Sequence, residues 1–485
     1  MTCSSANILL VNSNRFREPF PVVPLGLCAV ASALQEGGHD VTVLDLCFAR
    51  DPAADIRRYF KTHTPELVGI SVRNIDTASG YKPIFLMEQV RDDVVKPIQA
   101  LFRGPIVVGG PAVGINSAQI LTYLNLEYAI QGDGETSMLD LARCLATGRP
   151  MSRIPGLVIQ REGHLVEDNP PSQVDNLDEL PLARPWQWVD LARYVRNGGS
   201  VQVQTKRGCA LHCNYCSYNR IEGRSYRLRS PERVAEEIAE LVTHTSQRHI
   251  ELVDSAFNVP LNHAKAVLKA IAKRKLRLRL SIVGLHPMSV DEELVDLLCE
   301  CGVKDVGFSV EAGSDGMLES LGKSFTTAHI AEGSRLLHER KIPIQFFLLL
   351  GAPGESTSTL EQTFETMERV AGPWDLVTIG IGIRIYRGSP LAEQTAREHP
   401  ALAANAFFEP NAYEPAGITL DQIKDYCRRQ TATHANYLMY DEGDNSPPFL
   451  VRFVVGRLFP RMPLWKGYIA KKRKSLRRAK VESRA

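Results

Sequence analysis

Over residues 7–150 short apolar runs alternate with longer segments in which apolar residues recur at helical spacing. The runs are 8–11, 41–44, 67–72, 106–108 and 128–130. None alternates apolar with polar, which suits strands covered on both faces. The roughly 20–30 residues between them leave room for crossover helices. The pattern predicts an α/β unit over residues 1–150, a doubly wound parallel sheet whose ligand lies beyond the strand C-terminal ends.

Residues 151–196 read differently. Segments 158–161 and 164–167, split by Glu162-Gly163, predict a small hairpin. A linker containing Pro170, Pro171, Pro181 and Pro185 follows. A second alternating series then begins, with strands expected at 201–204, 249–253, 278–283, 305–310, 344–350 and 376–385. Six strand–helix units predict a partial parallel barrel over residues 197–390, with its chemistry at the strand C-terminal ends. Residues 391–485 form a mostly helical extension. Its aromatics Phe407, Phe408, Tyr413, Tyr426, Tyr437 and Tyr440 are expected to cover the barrel mouth and read the substrate.

Composition narrows the class. The chain has 485 residues, 44% apolar and 23% charged, as a globular enzyme of two to four units requires. A net charge of +2 argues against wholesale nucleic-acid binding. The N-terminus lacks the pattern of a signal peptide, and no apolar stretch is long enough to span a bilayer, so a cytoplasmic location is expected. Thiols there stay reduced. Seven of the ten cysteines are scattered and read as inert.

The other three are not scattered. Arg207-Gly208-Cys209-Ala210-Leu211-His212-Cys213-Asn214-Tyr215-Cys216 stands just past the first barrel strand. Thiolates spaced C-x3-C-x2-C on one loop suit an iron–sulfur cluster. The rival is a Cys3His zinc site that uses His212. Structural zinc sites usually pair two separated knuckles, and this chain has no second C-x2-C.

This motif, with Tyr215 before the last cysteine, resembles the radical S-adenosylmethionine (SAM) superfamily. The resemblance implies a [4Fe-4S] cluster on Cys209, Cys213 and Cys216, with one open iron that chelates SAM. It also implies reductive cleavage of SAM to a 5′-deoxyadenosyl radical, fed by a donor such as flavodoxin or ferredoxin. Carried onto the strand ends, it places Tyr215, Asp254, Ser309, Glu311, Gly351, Gly354 and Arg384 around SAM. Asp254 stands where the superfamily usually has Gly-Gly-Glu.

The first 150 residues resemble the cobalamin-binding domain of radical SAM methyltransferases. Pro24-Leu25-Gly26, Gly109-Gly110-Pro111 and Gly132-Asp133-Gly134-Glu135 carry the likeness. It implies corrin contacts from Asn12, Pro24, Gly26, Ser71, Arg73, Asn74, Gly109, Gly110, Gly132, Gly134 and Glu135. Asn12-Ser13-Asn14-Arg15 replaces the Asp-x-His-x-x-Gly of methionine-synthase-type domains, so cobalamin is expected without a protein histidine on cobalt. Ser71-Val72-Arg73-Asn74-Ile75-Asp76 resembles the tryptophan-methylating branch, in which this segment lies under the corrin. Arg73 paired to Asp76 on the surface is the simpler alternative.

The family implies methylation of an unactivated carbon: SAM methylates cobalamin, which passes the methyl group to a small-molecule or lipid substrate. Ring closure or rearrangement with the same cofactors is the alternative, and a sensor without turnover is the second. The tail adds an apolar segment at 449–459, then Trp465, Lys471-Lys472-Arg473-Lys474, Arg477, Arg478 and Lys480. That pattern suits either a docked helix with a solvated basic tail or a helix on an anionic membrane surface.

Overall fold

A computed structural model of the chain describes residues 5–439 and 465–482. The apolar segment 449–459 and Tyr440 lie outside the described residues. Two seven-stranded sheets organise the molecule.

The first sheet contains β1 (Asn7–Asn12), β2 (Asp40–Asp45), β3 (Leu67–Ser71), β4 (Ile106–Gly109), β5 (Tyr128–Ile130), β6 (Leu157–Arg161) and β7 (His164–Asp168), ordered β2-β1-β3-β4-β5-β6-β7. The first five are parallel, as the unalternating apolar runs predict. Both faces are indeed covered. Ile8 and Leu10 enter one core with Leu27, Leu34 and Met138, while Leu9 and Val11 enter another with Met87, Val94 and Ile120. The hairpin is part of this sheet, because β6 pairs antiparallel with β5.

Short strands β9 (Lys206–Arg207) and β10 (Arg227–Leu228) form a ribbon beside the cysteine loop. The second sheet comprises β8 (Val201–Val203), β11 (His249–Leu252), β12 (Arg279–Leu285), β13 (Val303–Glu311), β14 (Ile344–Leu350), β15 (Leu376–Ile381) and β18 (Tyr437–Met439). All neighbours in it are parallel. It is a partial barrel with one strand more than the sequence suggests. That strand is three residues long and lies beyond a helical extension, too short for periodicity to mark it.

The expected sixth strand breaks in two. Gly382 turns at a φ of 77°, and Ile383–Arg384 leaves the sheet as β16 to pair with β17 (Ala412–Tyr413). A Cβ on Gly80 would stand 1.8 Å from the Gly382 carbonyl oxygen, so only glycine allows the two domains to touch there.

The extension packs differently from expectation. Phe408 enters the core of the first domain, edge-on to Phe85 and Tyr123, and Phe407 and Tyr413 are buried in the barrel core. Tyr437 is fully buried in β18, and Tyr426 packs against the same core. None of these five lines the cavity described below. Phe408 ties the extension to the first domain, and the other four pack in or against the barrel core.

Helix Trp465–Glu482 docks on the barrel. Trp465 Nε1 donates to the Trp374 carbonyl at 3.0 Å, Lys472 Nζ to the Tyr437 carbonyl at 2.8 Å, and Arg473 to the Pro373 carbonyl. Among the described residues no helix is long and apolar enough to cross a membrane.

Candidate active site

A cavity of about 1870 Å³ opens between the two sheets and runs down the lumen of the barrel. Its wall is built from strand ends. On one side stand Asn12, Pro24, Gly26, Ser71, Arg73, Asn74, Gly109, Gly110, Gly132, Gly134 and Glu135, so every expected cobalamin residue faces the same space. On the other stand Cys209, Cys213, Cys216, Tyr215, Asp254, Ser309 and Glu311. Gly351, Gly354 and Arg384 are not among the lining residues.

The cysteine loop is held in shape from outside. Gly208 has a φ of 88°, and a Cβ there would lie 1.9 Å from the Ser225 carbonyl oxygen. Asn214 donates its side-chain amide to Ser320 O at 2.5 Å and its backbone N–H to Leu321 O at 3.0 Å. Gly322 closes against His212 O, where a Cβ would stand at 2.5 Å. The three thiols are electrostatic neighbours. Burial raises the Cys213 thiol and pushes Cys216 up to about 11, so metal must displace their protons.

This arrangement fits a cluster. His212 is exposed and absent from the cavity lining, so the zinc rival lacks its fourth ligand. Among the described residues no three His, Cys, Asp or Glu side chains gather closely enough for a single metal ion. A four-iron cube takes each thiolate on a different iron, which sets the sulfurs farther apart.

Beside the cysteines lies a buried triad, of which motif reading finds Tyr215 and Glu311 and misses Lys323. Tyr215 donates to Glu311 Oε1 at 2.8 Å, and Lys323 Nζ stands 2.8 Å from Glu311 Oε2 and 3.1 Å from the Tyr215 oxygen. Burial and the Glu311 carboxylate together raise the Tyr215 phenol well above its usual range, so it stays a donor. Glu311 holds a φ of 59° beside a register shift between β13 and β14. Backbone strain of this kind gathers at functional sites. Lys323 escapes sequence reading because it sits inside a helix–helix connection, away from any strand end.

Several predicted contacts are already committed elsewhere. Asp254 is fully buried and receives Thr205 N at 2.7 Å, Thr205 Oγ1 at 2.5 Å and Lys206 Nζ at 3.2 Å, so its carboxylate braces the strand leading to the cysteines. Glu135 is bound by Arg207 at 2.5 Å. Asn12 donates to Asp45 Oδ1 at 2.8 Å. Asp76 pairs with Arg384 of the other domain at 2.8 Å, where the simpler alternative for Arg73 would have paired it with Asp76. Arg384 also donates to the Phe407 and Phe408 carbonyls and stands outside the cavity lining, away from the place expected for it beside SAM. The Gly351 N–H donates to Glu355 Oε2 at 3.0 Å, and Gly354 is exposed beyond the barrel rim.

The cobalamin side has the form of a cradle. Gly26 has nothing within 4 Å of where a Cβ would stand, so its surface is open to a large ligand. Gly110 has a φ of 99°, and a Cβ there would lie 2.7 Å from the Val72 carbonyl oxygen. Neither histidine of this domain lines the cavity; His39 Nδ1 accepts from Ala6 N at 3.3 Å.

Comparison with known proteins places this architecture. Residues 203–367 match the Radical SAM superfamily, and residues 19–142 match the B12 binding domain. The chain belongs to the radical SAM enzymes that carry a B12-binding domain, with a [4Fe-4S] cluster, SAM and cobalamin as cofactors. It is 27% identical to the tryptophan 2-C-methyltransferase of Streptomyces laurentii, over 80% of this chain and 74% of that one. It is 24% identical to an uncharacterized methyltransferase of Pyrococcus horikoshii, over 79% and 80% respectively. In fold it matches the radical SAM methyltransferase TsrM of Kitasatospora setae, solved with cobalamin and a [4Fe-4S] cluster. That match has a TM-score of 0.83 and 23% identity, and it covers 99% of this chain and 100% of that one.

Proposed function

We propose that this enzyme transfers a methyl group from SAM, by way of cobalamin, to an unactivated carbon of a small molecule. One observation carries the reading: the cysteine loop and the glycine-lined strand ends of the B12-binding domain face each other across one cavity. When bound, the cluster and SAM supply one-electron cleavage and the corrin supplies methyl transfer, chemistry that belongs to the cofactors.

The chain's own residues position and shield. Cys209, Cys213 and Cys216 would hold the cluster. Tyr215, Glu311 and Lys323 form a buried donor–acceptor set beside the thiols, suited to the polar groups of SAM. Gly26, Gly109, Gly110, Gly132 and Gly134 allow close approach of a corrin, and Arg73 and Asn74 stand in the same wall. Holding the reactants together in one cavity turns collisions into a first-order step. A low-potential donor such as flavodoxin or ferredoxin would supply electrons. Peripheral membrane contact through Lys471, Lys474 and Arg477 is a finer reading, supported by their position on a surface helix. Sedimentation with anionic liposomes, comparing full length with a chain ending at Pro460, tests it.

The deciding experiment is anaerobic purification, cluster reconstitution, and mass analysis of 5′-deoxyadenosine, S-adenosylhomocysteine and product. Methyl transfer gives S-adenosylhomocysteine and a product heavier by one methyl group. Ring closure gives 5′-deoxyadenosine without one-carbon gain, and a sensor gives neither.

A further inference from the structure

Parallel barrels normally fill their lumen with layers of branched apolar side chains. This one does not. Gln202, Glu251, Ser281 and Asp305 are successive register partners across β8, β11, β12 and β13, so they form one layer. All four line the cavity. Their neighbours Ile250, Leu252, Ile282 and Val306 point the other way, into the core beneath the helices.

Acceptors dominate this layer. Gln202 Nε2 donates to Glu251 Oε2 at 3.3 Å, and Ser200 donates to the same oxygen. His249 Nε2 and Ser281 Oγ are 2.9 Å apart, and the Ser281 hydroxyl also serves Asp305. Among the described residues neither Glu251 nor Asp305 has an ion-pair partner. Lys304 and Arg279 act on Asp305 only from beyond contact distance. Two cavity-lining carboxylates with no cation in contact are unfavourable unless a ligand brings positive charge to them.

The layers toward the cysteines are roomy and of mixed polarity, with Gln345 Nε2 donating to Thr378 Oγ1 at 3.0 Å. Val283 remains 40% exposed inside the barrel, Phe347 is half-buried, and Gly307 and Gly380 add no side chain. Leu376, Met439, Trp465 and Tyr468 line the far end as a floor. From Asp305 to Glu311 the strand climbs about 20 Å at ~3.3 Å per residue.

We propose that the barrel lumen is the substrate chamber and that Glu251 and Asp305 receive an ammonium group. The substrate is then an elongated amine whose apolar body lies along Val283 and Phe347 toward the cysteines. The substrate assignment rests on the methyl-transfer reading; the binding site itself does not.

The test uses anaerobic holoenzyme loaded with cluster and cobalamin, with three probes: 6-phenylhexylamine, 6-phenylhexanol and 6-phenylhexanoate. Calorimetry near neutral pH is expected to show the amine binding at least about tenfold tighter than the alcohol, as a charged hydrogen bond gives, with the carboxylate weakest. The isosteric double variant Glu251→Gln, Asp305→Asn should abolish that preference while cofactor absorbance is retained. Val283→Trp, which fills the layer above, should exclude all three probes. Equal binding of amine and alcohol, no binding, or a preference that survives the double variant overturns the proposal. S-adenosylhomocysteine released by reduced holoenzyme is read separately. Its formation without amine preference sinks the chamber alone, and amine preference without it sinks the methyl-transfer reading alone.

Discussion

Arg207 Nη2 stands 2.5 Å from Glu135 Oε1, joining the residue two before Cys209 to the first turn of the helix that follows the loop after β5. Asp133 in the same loop takes Arg207 at 3.0 Å and Arg227 from the ribbon beside it. Burial pushes the Asp133 carboxyl up, but the two guanidinium groups outweigh it and hold it below its usual range. The loop after β5 and the cysteine loop, which line one cavity, are thereby one electrostatic unit.

Arg207→Met leaves two buried carboxylates short of a counter-charge. It should destabilise the protein by about 3–5 kcal/mol, the usual result of removing one partner from a buried pair. Thermal unfolding and the corrin-to-protein ratio after gel filtration measure it. A loss under about 1 kcal/mol, with full corrin retention, would show that apolar contacts alone hold the domains.

Replacing Cys209, Cys213 and Cys216 by Ala should remove the iron and its visible absorbance while the far-ultraviolet circular dichroism stays unchanged. The loop is anchored independently of the thiols, through Asn214 to Ser320 and Leu321. Retention of about four irons per chain in the triple variant would refute the assignment.

The sequence makes the fold legible where one constraint acts alone. Unalternating apolar runs mark strands buried on both faces, and all five strands of the B12-binding domain appear where expected. The C-x3-C-x2-C loop is legible because ligand chemistry fixes its spacing. Asp254, Glu135 and Arg384 show what is not legible. Each sits at a strand or loop end in the expected manner, yet each is bound by a residue distant in sequence: Lys206, Arg207 and Asp76. A strand end gives position, and only tertiary contact tells whether its charge is available to a ligand. The polar barrel layer is hidden for the same reason, since its successive members are 24–49 residues apart and meet only through strand register.

Cobalamin bound here should carry no protein nitrogen on cobalt. Neither His39 nor His63 of the first domain lines the cavity. His249 and His286 do, but both stand on the barrel side of the cavity, away from the glycine-lined strand ends of the first domain. Electron paramagnetic resonance of the Co(II) form should lack superhyperfine splitting from imidazole nitrogen. A triplet splitting that disappears in a His286→Ala variant would instead place a barrel histidine on the metal.

The enclosed carboxylate of Asp305 gives a stability signature with a definite sign. Burial raises it from 3.8 to about 6; Lys304, Ser281 and Arg279 offset part of the shift, and Glu251 adds to it. His249 faces it through Ser281 and is itself neutral above about 4. Between about pH 4 and 6 the folded chain therefore holds a proton that the unfolded chain has lost. Stability falls as pH rises through that window, and the penalty persists above it. Asp305→Asn removes the penalty. With screening by cavity water, the ligand-free variant should be more stable than the parent by about 1–2 kcal/mol at neutral pH. The difference should vanish below about pH 4, where both side chains are uncharged. Paired denaturation curves across pH 3.5–8 measure it. A variant less stable than the parent at neutral pH would mean that Asp305 already has its counter-charge in the ligand-free protein, and an added ammonium group would then find the layer neutralised.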